Sequence, residues 1–408
     1  MAQKGAERVQ QNPANRGPSP ISELLQQRVI GEGVAPAAAA GFAVLVQPAP
    51  APAAPAAGFR KPAELTVGGA GSLPGGRTAS QTTIFDLASV SKSIVACALA
   101  RLAARGVLSL SQPLGSLVAE ARGTPSEQLP LELFLAHRAG LEAHRPLFAA
   151  LLAGQLFRRS RALEAAAAAR RPDCQGSAPP QGFSPIYSDL GYVLLGRAIE
   201  QASGKPLDRV VREEVALPLG LELGSARQLS AAQAGFANAV APTEVVRARG
   251  GVVRGVVHDE NAWALSGHGC SGHAGLFGSV SDVLGFGRAL LEVLSERSDW
   301  LPRQALLPLV EPRPGGTLRA GFDGKSSGAS SAGELCGPGT FGHLGFTGTS
   351  LWCDPAAGIV TVLLTNRVHP TRDNPRIRAA RPIVHDALFL AATELRATKG
   401  VLPAAPNP

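Results

Sequence analysis

One segment constrains this chain more than any other. Phe85-Asp86-Leu87-Ala88-Ser89-Val90-Ser91-Lys92 holds the only S-x-x-K in 408 residues. It runs directly into an apolar series with helical spacing: Ile94, Ala98 and Leu102, with Val95 and Leu99 beside them. That period marks a helix with a face in a core. Ser89 then sits at the first turn, and a lysine three positions on shares its face. A helix N-terminus favours negative charge developing on the serine. Hydroxyl, ammonium and helix end together make a device for turning an alcohol into a nucleophile. The same residues also read as an N-cap serine and a solvated lysine, so two further segments decide the matter.

The second segment is Tyr187-Ser188-Asp189-Leu190-Gly191-Tyr192. The third is Gly342-His343-Leu344-Gly345-Phe346-Thr347-Gly348-Thr349. In this order S-x-x-K, Y-S-D and H-L-G resemble the serine β-lactamase and penicillin-binding-protein superfamily. The match is to its class C-like branch, which includes class C β-lactamases, D-alanyl-D-alanine peptidases and many carboxylesterases. The stretches Leu135–Leu141, Val257–Ala262, Ser271–Phe277 and Leu364–Pro370 look like the same branch, so the resemblance runs from about Ile21 to about Leu395. Periodicity alone gives an α+β fold. The resemblance implies a β-lactamase/transpeptidase-like architecture: an antiparallel sheet flanked by helices on both faces, with a mainly helical region inserted at about 107–250. The hydrolase domain is expected over 21–395, between a disordered segment at 1–20 and a disordered tail at 396–408.

The resemblance makes Ser89 the nucleophile, with Lys92 and Tyr187 sharing a proton between them; which of the two is the main base stays open. Oxyanion stabilisation is implied for the backbone N–H groups of Ser89 and Phe346, the latter just after the His343-Leu344-Gly345 triplet. Two departures matter. Asp189 stands where asparagine is usual; it favours a protonated Lys92, with a mere helix N-cap as the lesser reading. His343 and Leu344 replace the lysine and threonine of K-T-G, which weakens a dedicated site for a substrate carboxylate. The expected activity is therefore that of a serine hydrolase acting on a small ester, amide or peptide, first as a carboxylesterase. A D-alanyl-D-alanine carboxypeptidase or β-lactamase acting on peptidoglycan fragments is the alternative. A non-catalytic penicillin-binding-like sensor is the third reading, against which the intact Ser89, Lys92 and Tyr187 speak.

Other function classes fit poorly. The net charge of +8 is scattered and mostly arginine. Its densest cluster, Arg158, Arg159, Arg161, Arg170 and Arg171, reads as a solvated helix, and no nucleic-acid motif accompanies it. Five dispersed cysteines with no C-x-x-C spacing point to reduced thiols. His258, Asp259, Glu260, His268 and His273 match no zinc spacing, so neither metal nor organic cofactor is expected. Gly324-Lys325-Ser326-Ser327-Gly328 matches G-x-S-x-G but lacks the strand and helix that a nucleophile elbow needs. Residues 1–20 lack an apolar h-region and no run is long enough to span a bilayer, hence an expected cytoplasmic protein without membrane contact.

Along the chain, helices are expected at Ile21–Ile30, from Ser89 to a C-cap near Gly106, at Leu131–Ala136, Leu147–Ala169, Asp189–Gly204 and Val280–Leu294. Another is expected at Pro382–Leu395, with its proline in the first turn. Strands are expected at Phe42–Val46, from Glu64, at Ser350–Cys353 and at Ile359–Asn366. The Pro/Ala-rich segment Pro48–Gly58 reads as an insertion between strands, residues 250–280 as largely non-helical, and Gly315–Gly339 as a long polar loop.

Overall fold

The computed structural model describes residues 18–45 and 64–398. The expectations for 1–17, for Pro48–Gly58 and for 399–408 lie outside the described residues. The strands are β1 Ala37–Val44, β2 Glu64–Leu73, β3 Arg77–Thr78, β4 Phe85–Asp86, β5 Gly224–Ser225, β6 Val245–Val246, β7 Gly251–Val252, β8 Leu276–Gly278, β9 Asp323–Gly324, β10 Phe341–Leu344, β11 Ser350–Asp354 and β12 Ile359–Thr365. Among the described residues, seven form one antiparallel sheet in the order β3-β2-β1-β12-β11-β10-β9. This is the β-lactamase/transpeptidase-like arrangement, an antiparallel sheet between helical layers.

Strand alternation explains the layers. Side chains two residues apart share a face. Ala38, Ala40, Phe42 and Val44 of β1, with Ile359 and Leu363 of β12, pack with helices Pro20–Leu25 and Ile377–Thr398. Ala37, Ala39 and Ala43, with Val360, Val362 and Leu364, face the other way into the main core. Helix Val280–Leu294 covers that side, capped by Ser279 in a capping box with Asp282. Helix Ser91–Ala104 runs through the interior, every residue from Ser91 to Ala100 buried. A helix apolar on all sides belongs in such a place. It packs against helices Asp189–Ser203, Leu207–Val211 and Arg303–Val310, so its N-terminus opens between the sheet and the helical region.

Several local expectations are corrected. Leu147–Ala169 is two short helices, Ala149–Leu152 and Arg159–Ala167, separated at Gly154, whose φ is +67°. The last helix begins at Ile377 and runs to Thr398, so Pro382 lies inside it and residues 396–398 are helical rather than tail. Ser19 caps the first helix, which starts at Pro20, so order begins before residue 21. The first strand begins at Ala37 rather than Phe42 and ends at Val44. Within 250–280 a helix forms at Glu260–Ser266, because the Asp259 carboxylate accepts the N–H of Ala262. The arginine cluster is not simply solvated: Arg171 is buried and donates to Cys174 Sγ and Ser184 O, and Arg159 pairs with Glu200. All five cysteines are buried and unpaired. No helix among the described residues is long and apolar enough to cross a membrane.

Candidate active site

The segment bearing Ser89 is held from both sides. Asp86 is buried, and its carboxylate accepts the N–H groups of Ala88 at 2.8 Å and His258 at 2.7 Å; burial pushes its pKa up to about 6. Thr347 and Thr349 donate their hydroxyls to the carbonyls of Asp86 and Leu87 at 2.8 and 2.9 Å. Ala88 takes φ +48°, in the left-handed region that costs an alanine roughly 1–2 kcal/mol. A single 3₁₀ turn, Ala88–Val90, follows, so Ser89 precedes the α-helical turn on which Lys92 sits. Gly345 reaches over this segment. A Cβ there would lie 1.9 Å from Thr349 Oγ1 and 2.7 Å from Leu87 O, so no larger residue fits.

Lys92 is fully buried, and each of its three protons has an acceptor. Nζ donates to Ser89 Oγ at 3.0 Å, to Asp189 Oδ1 at 2.6 Å and to the His273 carbonyl at 3.3 Å. Burial alone would lower the lysine pKa. The Asp189 carboxylate and Tyr187 outweigh it, and the net shift is upward. Asp189 mirrors this: burial opposes its charge, Lys92 favours it, and its carboxyl is held well below the ordinary range. The pair is an ammonium and a carboxylate. Ser188 rather than Asp189 caps helix Asp189–Ser203, accepting the N–H of Gly191, which leaves the aspartate for the lysine.

Tyr187 lies between two imidazoles. Its ring stacks on His137 at 4.8 Å and lies 5.9 Å from His343, with the Lys92 ammonium 4.7 Å from its centroid. Its hydroxyl interacts with both Lys92 and Ser89. Burial raises the phenol pKa further than Lys92 lowers it. His137 itself has φ +59° and accepts the Ser188 N–H on Nδ1 at 3.0 Å, which fixes its ring against the tyrosine. Burial and the neighbouring ammonium push His137 and His343 down to about 3, so both are neutral. His343 donates from Nδ1 to the Leu344 carbonyl, a tautomer assigned from that contact.

Phe346 is 49% exposed at the mouth of the site. The Arg367 guanidinium covers its ring at 4.5 Å and donates through Nε to its carbonyl at 2.8 Å; the His258 ring stacks on it at 5.8 Å. Arg367 also donates to the carbonyls of Arg372 and Asn374, so backbone oxygens occupy much of its fork. Among the described residues, neither the Ser89 nor the Phe346 N–H donates to a protein acceptor. β9 pairs only with Phe341 and Gly342, so the outer edge of β10 is open at His343 and Leu344. The resulting cleft, about 840 Å³, is lined by Ser89, Tyr187, Asp189, His343, Leu344, Gly345 and Phe346 together with His144, His258 and Arg378.

The histidine-rich segment does not converge: among the described residues no group of three or more His, Cys, Asp or Glu side chains is placed to hold a metal. His273 bonds Asp259 at 2.8 Å and Ser271 at 3.1 Å, while its carbonyl serves Lys92. Ser326 of the G-x-S-x-G match lies in an irregular loop after β9. Thr347, Thr349 and His144 are neighbours of the site that sequence reasoning did not single out. The two threonines stood within the third motif as a T-x-T signal, whereas nothing in the sequence connects His144 to Asp189.

A serine beside a buried lysine at a cleft between sheet and helical region is the architecture of a serine hydrolase. The chain belongs to the Beta-lactamase family, whose family model matches residues 28–385. It is 29% identical over 327 residues, 73% of either chain, to a putative D-alanyl-D-alanine carboxypeptidase of Salmonella agona (strain SL483). The fold is shared with EstCE1, described as a hydrolase with promiscuous acyltransferase activity (TM-score 0.63, 20% identity, covering 90% of this chain and 97% of that one). It is also shared with a class C β-lactamase from Rhodobacter sphaeroides (TM-score 0.60, 16% identity, covering 90% and 99%).

Proposed function

We propose that this chain hydrolyses small esters and amides through an acyl-enzyme on Ser89. The observation that carries the reading is Ser89 Oγ 3.0 Å from Lys92, with the Tyr187 hydroxyl alongside, all at one cleft. Lys92, kept as an ammonium, is a fixed positive charge rather than the base. Tyr187 is the relay: it takes the Ser89 proton as it gives its own to the leaving group, so free phenolate need not accumulate. The N–H groups of Ser89 and Phe346 receive the developing oxyanion. One such donor is worth about 10²–10³ in kcat.

Neutral acyl substrates suit this cleft better than carboxylates. His343 is uncharged and Leu344 has no hydroxyl, so an anion beside the reactive carbonyl would be desolvated with little compensation there. A second reading is favoured by Arg378, which lines the cleft exposed and without an acidic partner among the described residues, and by the name of the Salmonella relative. In that reading a peptide carboxylate meets the arginine. Comparing kcat/KM for p-nitrophenyl butyrate, nitrocefin and diacetyl-Lys-D-Ala-D-Ala tests the two. The ester is expected to lead; a tenfold advantage for nitrocefin or the peptide replaces the esterase reading with the second.

A further inference from the structure

Two guanidiniums hold the backbone on either side of the Phe346 N–H. Arg381, from helix Ile377–Thr398, donates through Nη2 to the Gly345 carbonyl at 2.7 Å and to the Thr349 carbonyl at 3.1 Å. Arg367 donates through Nε to the Phe346 carbonyl at 2.8 Å. We propose that Arg381 is a positioning residue for the oxyanion site: through the Gly345 carbonyl it sets the direction of the Phe346 N–H and keeps positive charge behind it. This rests on the reading of Ser89 as nucleophile and Phe346 as an oxyanion donor.

The Gly345 carbonyl and the Phe346 N–H belong to one planar trans peptide, in which they point opposite ways. A donor fixed on the carbonyl therefore fixes where the N–H points. It also polarises the amide, because hydrogen bonds in series strengthen one another and an ionised donor makes the stronger bond. Neither carbonyl needs Arg381 merely to be satisfied. Gly345 O also accepts the Gly348 N–H at 3.1 Å, and Thr349 O accepts the Gly345 N–H at 2.7 Å. The turn closes on its own backbone, and what Arg381 adds to it is charge.

That charge is costly where it stands. Arg381 is only 7% exposed, and buried arginines are normally paired. Among the described residues no carboxylate pairs with it, and its Nε has no acceptor. Burial, and then the charge of Arg367, lower its pKa to about 10, so it remains a cation at neutral pH. A negative charge arriving nearby offsets the cost of burying a positive one. In the proposed reaction the oxyanion is the negative charge that forms beside the Phe346 peptide. A neutral ester carries no such charge in the ground state, so the benefit belongs to the transition state and to kcat.

The test compares Arg381→Lys, Arg381→Gln and Arg381→Met in the full chain. Kinetics on p-nitrophenyl butyrate and inhibition by phenylboronic acid, which forms a tetrahedral anion on a nucleophilic serine, are read beside thermal melts. The two neutral variants are expected to lower kcat and kcat/KM together by roughly 10–10²-fold, less than the loss of a whole oxyanion donor, with KM within about threefold. Phenylboronic acid should weaken by about the same factor as kcat/KM. Arg381→Lys, which keeps the charge, should recover more than about threefold of the loss seen in Arg381→Gln. Equal kcat in the Lys and Gln variants, or kcat within about threefold of wild type in Arg381→Gln, overturns the proposal and leaves Arg381 a brace between helix and turn. Should Arg381→Met fail to fold, the Lys–Gln pair still decides it. Ester turnover that survives Ser89→Ala overturns the nucleophile reading instead, and the role of Arg381 with it.

Discussion

The Lys92–Asp189 pair decides how this site differs from one with asparagine at the same position. A buried ammonium that loses its carboxylate is expensive to keep, about 3–5 kcal/mol for a pair broken on one side. Asp189→Asn is therefore expected to lower stability by up to that amount, read by urea denaturation. It should also let Lys92 lose its proton at lower pH. The signs are fixed by the shifts. Asp189 is held below 3.8, so its contribution is present above that value and lost as the pH falls beneath it. Lys92 is held above 10.5, so its contribution is present below that value and lost as the pH rises past it. Ser89→Ala should abolish the adduct and p-nitrophenyl ester turnover while leaving the thermal melt intact; wild-type turnover by this variant would remove Ser89 from the chemistry. Tyr187→Phe should reduce kcat by about 10²–10⁴, and a loss under threefold would make the tyrosine a wall of the cleft.

Between elements, the decisive contact is the clamp of the β10–β11 turn on the strained segment before Ser89. Thr349→Val keeps the shape but removes one of the two donors to the Leu87 carbonyl, leaving the Val90 N–H at 3.1 Å. One lost hydrogen bond costs roughly 0.5–1.5 kcal/mol net, so stability should fall by that much, and kcat further, because Ala88 loses a restraint. An unchanged kcat would show that the strained turn holds itself. Much at this scale was legible in the sequence. Helix Val280–Leu294 carried its period and its cap, and β11 and β12 their turn residues. The three motifs were readable because each is local. Helix Glu260–Ser266 was missed because seven residues are too few to show a period among so many glycines and histidines. Its signal was only the N-cap Asp259. The arrangement around Asp189 was half legible: Lys92 came with the motif, but His144 lies on a loop whose position depends on how the two short helices after it pack. The placing of Tyr187 between His137 and His343 joins three separate segments, which no spacing encodes.

For the molecule as a whole, buried neutral histidines dominate the response to acid. His137, His343 and His385 are pushed down to about 3 and His258 to about 4, chiefly by burial. Between pH 6 and 4 the unfolded chain binds protons at all four while the native state does not. Asp86, raised to about 6, works in the opposite sense by binding a proton in the native state. Four against one leaves about three excess protons on the unfolded side, a slope of roughly 4 kcal/mol per pH unit. Since domains hold only about 5–15 kcal/mol in total, cooperative unfolding is expected between pH 6 and 4. Circular dichroism melts at pH 7 and pH 5 check it; an equal Tm at both would mean that these imidazoles are protonated in the native state. The sheet has a different consequence, one of timing. Its central partners β1 and β12 pair Ala38 with Thr365, across most of the chain. On the ribosome β1 emerges early and must wait, its small apolar residues uncovered, until β12 and the helix after it have been made. Contacts so distant in sequence slow folding, and the unpaired flank of β1 during that wait is where a chaperone or a second nascent chain would find this protein first.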